Sequence, residues 1–260
     1  MVFPYKHVLL VGATAGIGRA MADRFVETGV KVTAVGRRQE RLDEFVSKYG
    51  VQTASAVAFD ISETAKIPAF VNSVMESYPS IDCVFLNAGT QSAFDLSDPA
   101  RFDLETFNNE VHINFTSLVA LVHAFTPVFT KRTSPASFIF TGSNIAIVPA
   151  ATLPAYCASK AALNVFTLCL RENLQNTNVK VIEISPPPVQ TELHDYMGEE
   201  TGRSLGMPLE EFTDQAFSGL AVGKDQVIIG SVGPVETFNE IVDKRREAFS
   251  NLAKLMRSSH

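Results

Sequence analysis

Cysteine is scarce in this 260-residue chain, and the three present, Cys83, Cys157 and Cys169, are odd in number and lack metal-ligand spacing. Neither a disulfide framework nor a metal site is expected from them. They read as reduced core or site-lining residues of a cytoplasmic protein. Basic excess is also missing: 22 Lys and Arg stand against 28 Asp and Glu, a formal charge of −6. Nucleic acid and anionic membranes are therefore not expected partners. No uninterrupted apolar stretch approaches the ~20 residues of a membrane span. A strand-like run follows directly on Phe3-Pro4-Tyr5, leaving no room for the charged and apolar regions of a signal peptide. There are no repeats, low-complexity tracts or linkers, so a single domain over 1–260 is expected. The 46% of hydrophobic residues suffices at this length for a sizeable core.

The apolar residues alternate between short runs and helical spacing. His7–Val11, Val30–Val35, Val51–Phe59, Asp82–Leu86, Ser137–Thr141, Lys180–Ile184 and Val227–Gly230 read as strands. Helices are expected after the first strand and over about 39–48, 64–78, 104–131 and 154–175, with a polar insertion near 90–103. Strands alternating with helices argue for an α/β fold. Its sheet would be parallel and doubly wound, of Rossmann type, with helices on both faces.

Two local patterns carry chemistry. Gly12-Ala13-Thr14-Ala15-Gly16-Ile17-Gly18 lies between the first strand and a helix. Glycines at 12, 16 and 18 allow a tight turn and the close approach of a diphosphate to helix N-terminal amides. Alone, such a run is often only a turn; its place at the start of a βαβ pattern favours a cofactor site. Tyr156 and Lys160 stand at i and i+4, with Ser143 thirteen positions before the tyrosine. On one helix face an ammonium could sit under a phenol and lower its pKa from ~10. By itself such a spacing is most often an ordinary surface pair on a helix.

These landmarks, in this order, give the chain a resemblance to the short-chain dehydrogenases/reductases over roughly residues 6–230. The set is the glycine turn, Asp60 after the third strand, Asn87-Ala88-Gly89 after the fourth, then Asn114, Ser143, Tyr156 and Lys160. The resemblance implies an NADP(H)-dependent oxidoreductase acting on a small carbonyl or alcohol substrate. Ser143 and Tyr156 would hold the carbonyl oxygen, with Tyr156 donating the proton. Lys160 would lower the tyrosine pKa and hold the nicotinamide ribose. Asn114 would interrupt its helix and hold a water beside Lys160. Gly12, Thr14, Gly16, Ile17 and Gly18 would cradle the diphosphate. Asp60 would meet the adenine amino group, or simply cap a helix. Asn87, Ala88 and Gly89 would lie along the cofactor. Val189 and Thr191, in the loop after the sixth strand, would meet the carboxamide. Three consecutive prolines, with Pro187 where relatives carry glycine, stiffen that loop.

Arg37 and Arg38 end the second strand, where a carboxylate would hold a ribose 2′-hydroxyl. Guanidinium forks there suit a 2′-phosphate, hence NADPH, although both could simply begin a charged helix. Residues of about 192–222 are expected to form a substrate lid, with His194 a surface loop residue. His112 and His123 read as helix positions without a metal role. Phe238, Ile241, Val242, Phe249, Leu252 and Met256 point to an added helix over about 234–257. Leu118, Leu121, Val122 and Phe125 on one long helix, with Phe166, Leu170 and Leu174 on another, suggest a homodimer, a tetramer being possible. Two alternatives stay open. One is an NAD-dependent alcohol dehydrogenase or redox isomerase using the same residues. The other is a catalytically silent nucleotide-binding protein.

Overall fold

The computed structural model describes residues 3–100 and 102–258. Among them lies one seven-stranded sheet made of β1 (His7–Val11), β2 (Lys31–Gly36), β3 (Ala54–Ala58), β4 (Cys83–Leu86), β5 (Ala136–Thr141), β6 (Val179–Ser185) and β7 (Gln226–Ile228). The order is β3-β2-β1-β4-β5-β6-β7, and every neighbouring pair is parallel. Parallel pairing requires crossovers, and helices supply them. They are α1 (Gly16–Glu27), α2 (Gln39–Tyr49), α3 (Ile67–Ser77), α4 (Leu104–Val111), α5 (Ser117–Thr130), α6 (Pro154–Asn173), α7 (Glu199–Ser204) and α8 (Leu209–Ala221), and α9 (Val235–Ser258) follows the last strand.

β1 shows how sequence dictates the layers. Its side chains alternate, so Val8 and Leu10 join the core beneath α1, α2 and α8, while Leu9 and Val11 join the core beneath α3, α5 and α6. All four are buried. Covering both faces of a parallel sheet produces the continuous apolar run seen in the sequence. Each such side chain contributes about 1.5–3 kcal/mol. The strand order reverses between β1 and β4, and that reversal leaves a crevice at their carboxyl ends.

Several expectations are corrected. The third strand starts at Ala54 rather than Val51, because Thr53 and Ala54 donate their amides to Gly50 O and close a turn. The helix expected over 104–131 is broken into α4 and α5 by a π-helical turn, His112–Thr116. By length and composition, Leu104–Thr130 could cross a membrane. Here it is a core element, with Leu118, Leu121, Val122, Phe125 and Phe129 packed on the sheet. Those first four residues, expected at a subunit interface, are thus already covered by their own chain. Cys83 and Cys157 are buried, but Cys169 is exposed. The terminal helix α9 buries only a narrow stripe, Phe238, Val242 and Ala253. Ile241, Leu252 and Met256, expected to pack, face outward.

Candidate active site

The cleft, about 700 Å³ in volume, opens at the carboxyl ends of β1, β2, β4, β5 and β6. After β1, the amides of Gly12 and Ala13 donate to Val35 O at 2.8 and 3.0 Å. This bends the chain across the sheet end. A Cβ on Gly12 would lie 2.6 Å from the Ala88 backbone, and one on Gly18 would lie 1.9 Å from Gly12 O. Both positions therefore require glycine for close packing. Ala15 precedes α1 and offers no capping oxygen, so the first-turn amides lack a side-chain cap. Uncapped amides at a helix start, in a turn stripped of side chains, suit a diphosphate. Gly12, Thr14, Gly16 and Ile17 line the cleft, whereas Gly18 sits behind them.

Arg37 and Arg38 follow β2 at the same end. Arg37 faces the Asp60 carboxylate at 3.7 Å. Arg38 donates through Nε to Thr14 Oγ1 at 3.1 Å and through Nη1 to Glu192 Oε2 at 2.7 Å. Asp60 Oδ1 also accepts the Ser62 amide at 2.9 Å. It closes a turn and lines the cleft wall, and it caps no helix: neither the short helix Thr64–Lys66 nor α3 has a side-chain cap. Burial raises this carboxyl, but the Ser62 hydrogen bonds and the Arg37 charge hold it below the usual range.

After β4, the Asn87 and Ala88 amides donate to Val11 O at 3.0 and 2.9 Å. Asn87 Nδ2 donates to Gly12 O at 3.1 Å, and its Oδ1 accepts from Thr141 Oγ1 at 2.8 Å. One side chain thereby ties the ends of β1, β4 and β5. Gly89 leaves room for what lies behind it: a Cβ there would stand 3.2 Å from Asn114 Oδ1 and 3.7 Å from Lys160 Nζ. Asn114 is fully buried in the π turn. It accepts the Thr90 amide and donates to Thr90 O, both at 2.8 Å. A side-chain amide satisfying loop backbone in this way gives the interruption of the helix a local cause.

Ser143 follows β5 and stands beside the Tyr156 phenol, while Tyr156 and Lys160 project from α6, which begins at Pro154. All three line the cleft although each is buried. Lys160 Nζ donates to Thr141 O at 2.7 Å and lies 5.5 Å from the Tyr156 ring centroid. The lowered tyrosine pKa expected from this pair is not what the geometry produces. Burial, followed by the negative field of Glu110, raises the phenol above its ordinary value, and Ser143 opposes this only in part. Lys160 is directed at the carbonyl, and burial pulls its own amine down to about 8, with Glu183 opposing.

The loop after β6 is held on both sides. Pro186 O accepts the Asn144 amide, and Met207 exchanges backbone hydrogen bonds with Pro188 and Gln190. Val189 and Thr191 consequently line the cleft, Thr191 lying against Gly16. His194, expected at the surface, is buried with Nδ1 2.9 Å from Gln91 Oε1. Its pKa falls because burial disfavours the cation. Glu192, Arg41, Gln91 and the buried Glu110 were not singled out by sequence. Glu192 meets Arg38 across 154 positions, a separation at which no sequence periodicity operates. His112 Nε2 lies 2.9 Å from Ser62 O, and no group of three potential metal ligands occurs among the described residues.

A doubly wound parallel sheet, with a glycine turn and a buried Ser–Tyr–Lys set along one crevice, defines a dinucleotide-binding oxidoreductase class. The sequence profile described as short chain dehydrogenase matches residues 6–202. The chain belongs to the short-chain dehydrogenase/reductase family and is an oxidoreductase of that family. It is 33% identical over 221 residues to the "Uncharacterized oxidoreductase DltE" of Bacillus subtilis (strain 168), covering 85% of this chain and 86% of that protein. The closed form of serine dehydrogenase complexed with NADP⁺ superposes with a TM-score of 0.78 at 27% identity, covering 88% and 98% of the two chains. A short chain dehydrogenase/reductase from Burkholderia phymatum in complex with NAD gives a TM-score of 0.79. Its identity is 19%, with coverage of 88% and 90%, and it shares the fold alone.

Proposed function

We propose that the protein reduces a ketone or aldehyde to an alcohol, reversibly, with NADPH as cofactor. The carrying observation is the pair Tyr156 and Lys160, buried at one end of a cleft whose other end is the glycine turn. The residues present fit such a cofactor. The tight glycine contacts and uncapped α1 amides suit the diphosphate, and Arg37 and Arg38 suit the 2′-phosphate. Asp60 would meet the adenine, Asn87, Ala88 and Gly89 would flank the nucleotide, and Val189 and Thr191 would meet the carboxamide. The NADP⁺ in the serine dehydrogenase structure supports the same choice.

When bound, the cofactor supplies the hydride that the carbonyl carbon receives. Ser143 and Tyr156 hydrogen-bond the carbonyl oxygen, and Tyr156 gives it the phenolic proton as negative charge develops there. Burial keeps the phenol protonated, so the proton is in place when an oxyanion forms beside it. Lys160 holds the nicotinamide ribose, and Asn114 returns a proton through water beside Lys160. Residues 192–207 serve as the lid of this single catalytic unit, which acts in the cytoplasm; α8, expected within the lid, packs on the sheet through Phe212, Ala216 and Leu220.

The test is NADPH oxidation, followed by absorbance, across a panel of ketones and aldehydes with wild type and Tyr156→Phe. The variant is expected to bind NADPH normally and to lose ~10²–10⁴-fold in turnover. Retention of more than about a tenth of the activity would remove Tyr156 as the proton donor.

A further inference from the structure

Glu192, at the first turn of the proposed lid, has no part in the chemistry above, yet it makes two charged contacts in the cleft region. Its Oε2 accepts from Arg38 Nη1 at 2.7 Å, and its Oε1 accepts from Arg41 Nη1 at 2.6 Å. The same two arginines hold the glycine turn, Arg38 through Thr14 Oγ1 at 3.1 Å and Arg41 through Thr14 O at 3.2 Å. Thr191, the preceding residue, packs on Gly16. The start of the lid is therefore fastened to the end of β2, to α2 and to the phosphate-binding turn at once. Burial raises the Glu192 carboxyl, but the two arginines outweigh it and hold the group below the usual carboxylate range. It is a full anion at neutral pH.

We propose that Glu192 is a specificity-determining residue, an internal anion that occupies Arg38, one of the two arginines a 2′-phosphate needs, and so couples phosphate entry to release of the lid. This inference rests on the assignment of Arg38 to the 2′-phosphate. A dianionic phosphate and a carboxylate on one guanidinium repel each other, so the cofactor has to displace Glu192 from Arg38. The displacement is easy, because the three side chains are 31–46% exposed and ion pairs so open to water are weak. A cofactor with only a 2′-hydroxyl has no charge to set against Glu192 and leaves the contact in place. Discrimination between the two nucleotides is accordingly smaller than the arginines alone would provide.

The experiment is calorimetric titration of wild type and Glu192→Gln with NADPH, NADH, 2′,5′-ADP and ADP, with circular dichroism and melting to establish that the variant is folded. The two adenosine diphosphates isolate the phosphate end from the nicotinamide. Removing a competitor held by two exposed ion pairs is expected to tighten NADPH and 2′,5′-ADP by roughly three- to thirtyfold. NADH and ADP should stay within about twofold, and the gain should shrink as salt is raised. An unchanged ratio of NADPH to NADH affinity overturns the proposal. Weaker NADPH binding also overturns it, since Glu192 would then orient the arginines rather than compete for them. So does an equal weakening of all four ligands, which marks a structural role. A wild type that prefers NADH would instead defeat the NADPH assignment. The change of ratio on Glu192→Gln still decides the role of Glu192 in that case.

Discussion

Glu110 carries a carboxyl that is 1% exposed, with neither oxygen completing a hydrogen bond. Ser92 is near enough to oppose it, yet burial pushes the group up to about 7 from an ordinary value of 4.5. The folded form thus holds a proton that the unfolded chain releases between these two values. Stability is accordingly lost as pH rises from 4.5 to about 7, and the loss is complete above that. Glu110→Gln, neutral at every pH, is expected to raise stability by roughly 1–3 kcal/mol at about pH 8 and to change it little near pH 4. Thermal melts of both proteins across this range check it; a gain independent of pH would sink the idea. His7 shows the opposite sign. Its ring is enclosed by Ser80 and Thr33 at 2.7 and 2.9 Å, and burial lowers its pKa to about 4. The unfolded chain binds that proton first, so stability falls as pH drops from 6.5 toward 4.

At the scale of elements, the glycine turn is a packing device as much as a ligand site. Gly18 touches Gly12 O and the Asn87 amide, so a methyl group there meets backbone that cannot move aside. Gly18→Ala is expected to lower stability by about 1–3 kcal/mol. It should also abolish the rise in melting temperature that NADPH gives the wild type. Melts with and without cofactor measure both effects, and a fully retained ligand shift would show that the turn tolerates displacement. The glycines themselves were legible in the sequence, because their spacing between strand and helix has a local cause. The π turn at His112–Thr116 was legible only through Asn114, a residue that fits poorly in a helix interior.

For the whole molecule, we expect assembly to use the outer faces of α4 to α6. The residues first expected at an interface, Leu118, Leu121, Val122 and Phe125, are spent on the chain's own core. Val165 stays 48% exposed on α6, and Leu104 stays 57% exposed on α4. We expect a homodimer that uses this outer surface. Light scattering should give twice the 28.3 kDa of one chain, and Val165→Arg should return the mass to one chain. A single-chain mass for the wild type at micromolar concentration would refute this. The terminal helix leaves Ile241, Leu252, Leu255 and Met256 exposed, and we expect it to lie outside that contact.

What the sequence determined by itself was most of what has a short-range cause, the turn at Gly50 that delays β3 excepted. Alternating apolar runs became a parallel sheet, since a strand buried on both faces must be apolar throughout. The glycine spacing became the tight turn between β1 and α1, and Tyr156 with Lys160 fell on one helix, because turns and i, i+4 neighbours are properties of consecutive residues. Tertiary structure decided what depends on surroundings. Tyr156 is raised rather than lowered because it is buried and lies in the field of Glu110, while Lys160 is turned toward Thr141. His194 went inside to meet Gln91, 103 positions away. Glu192 closed on Arg38 and Arg41 because the segments after β2 and β6, far apart in the chain, both emerge at the carboxyl ends of the strands. Burial and long-range charge are sums over neighbours, and only the folded chain says who the neighbours are.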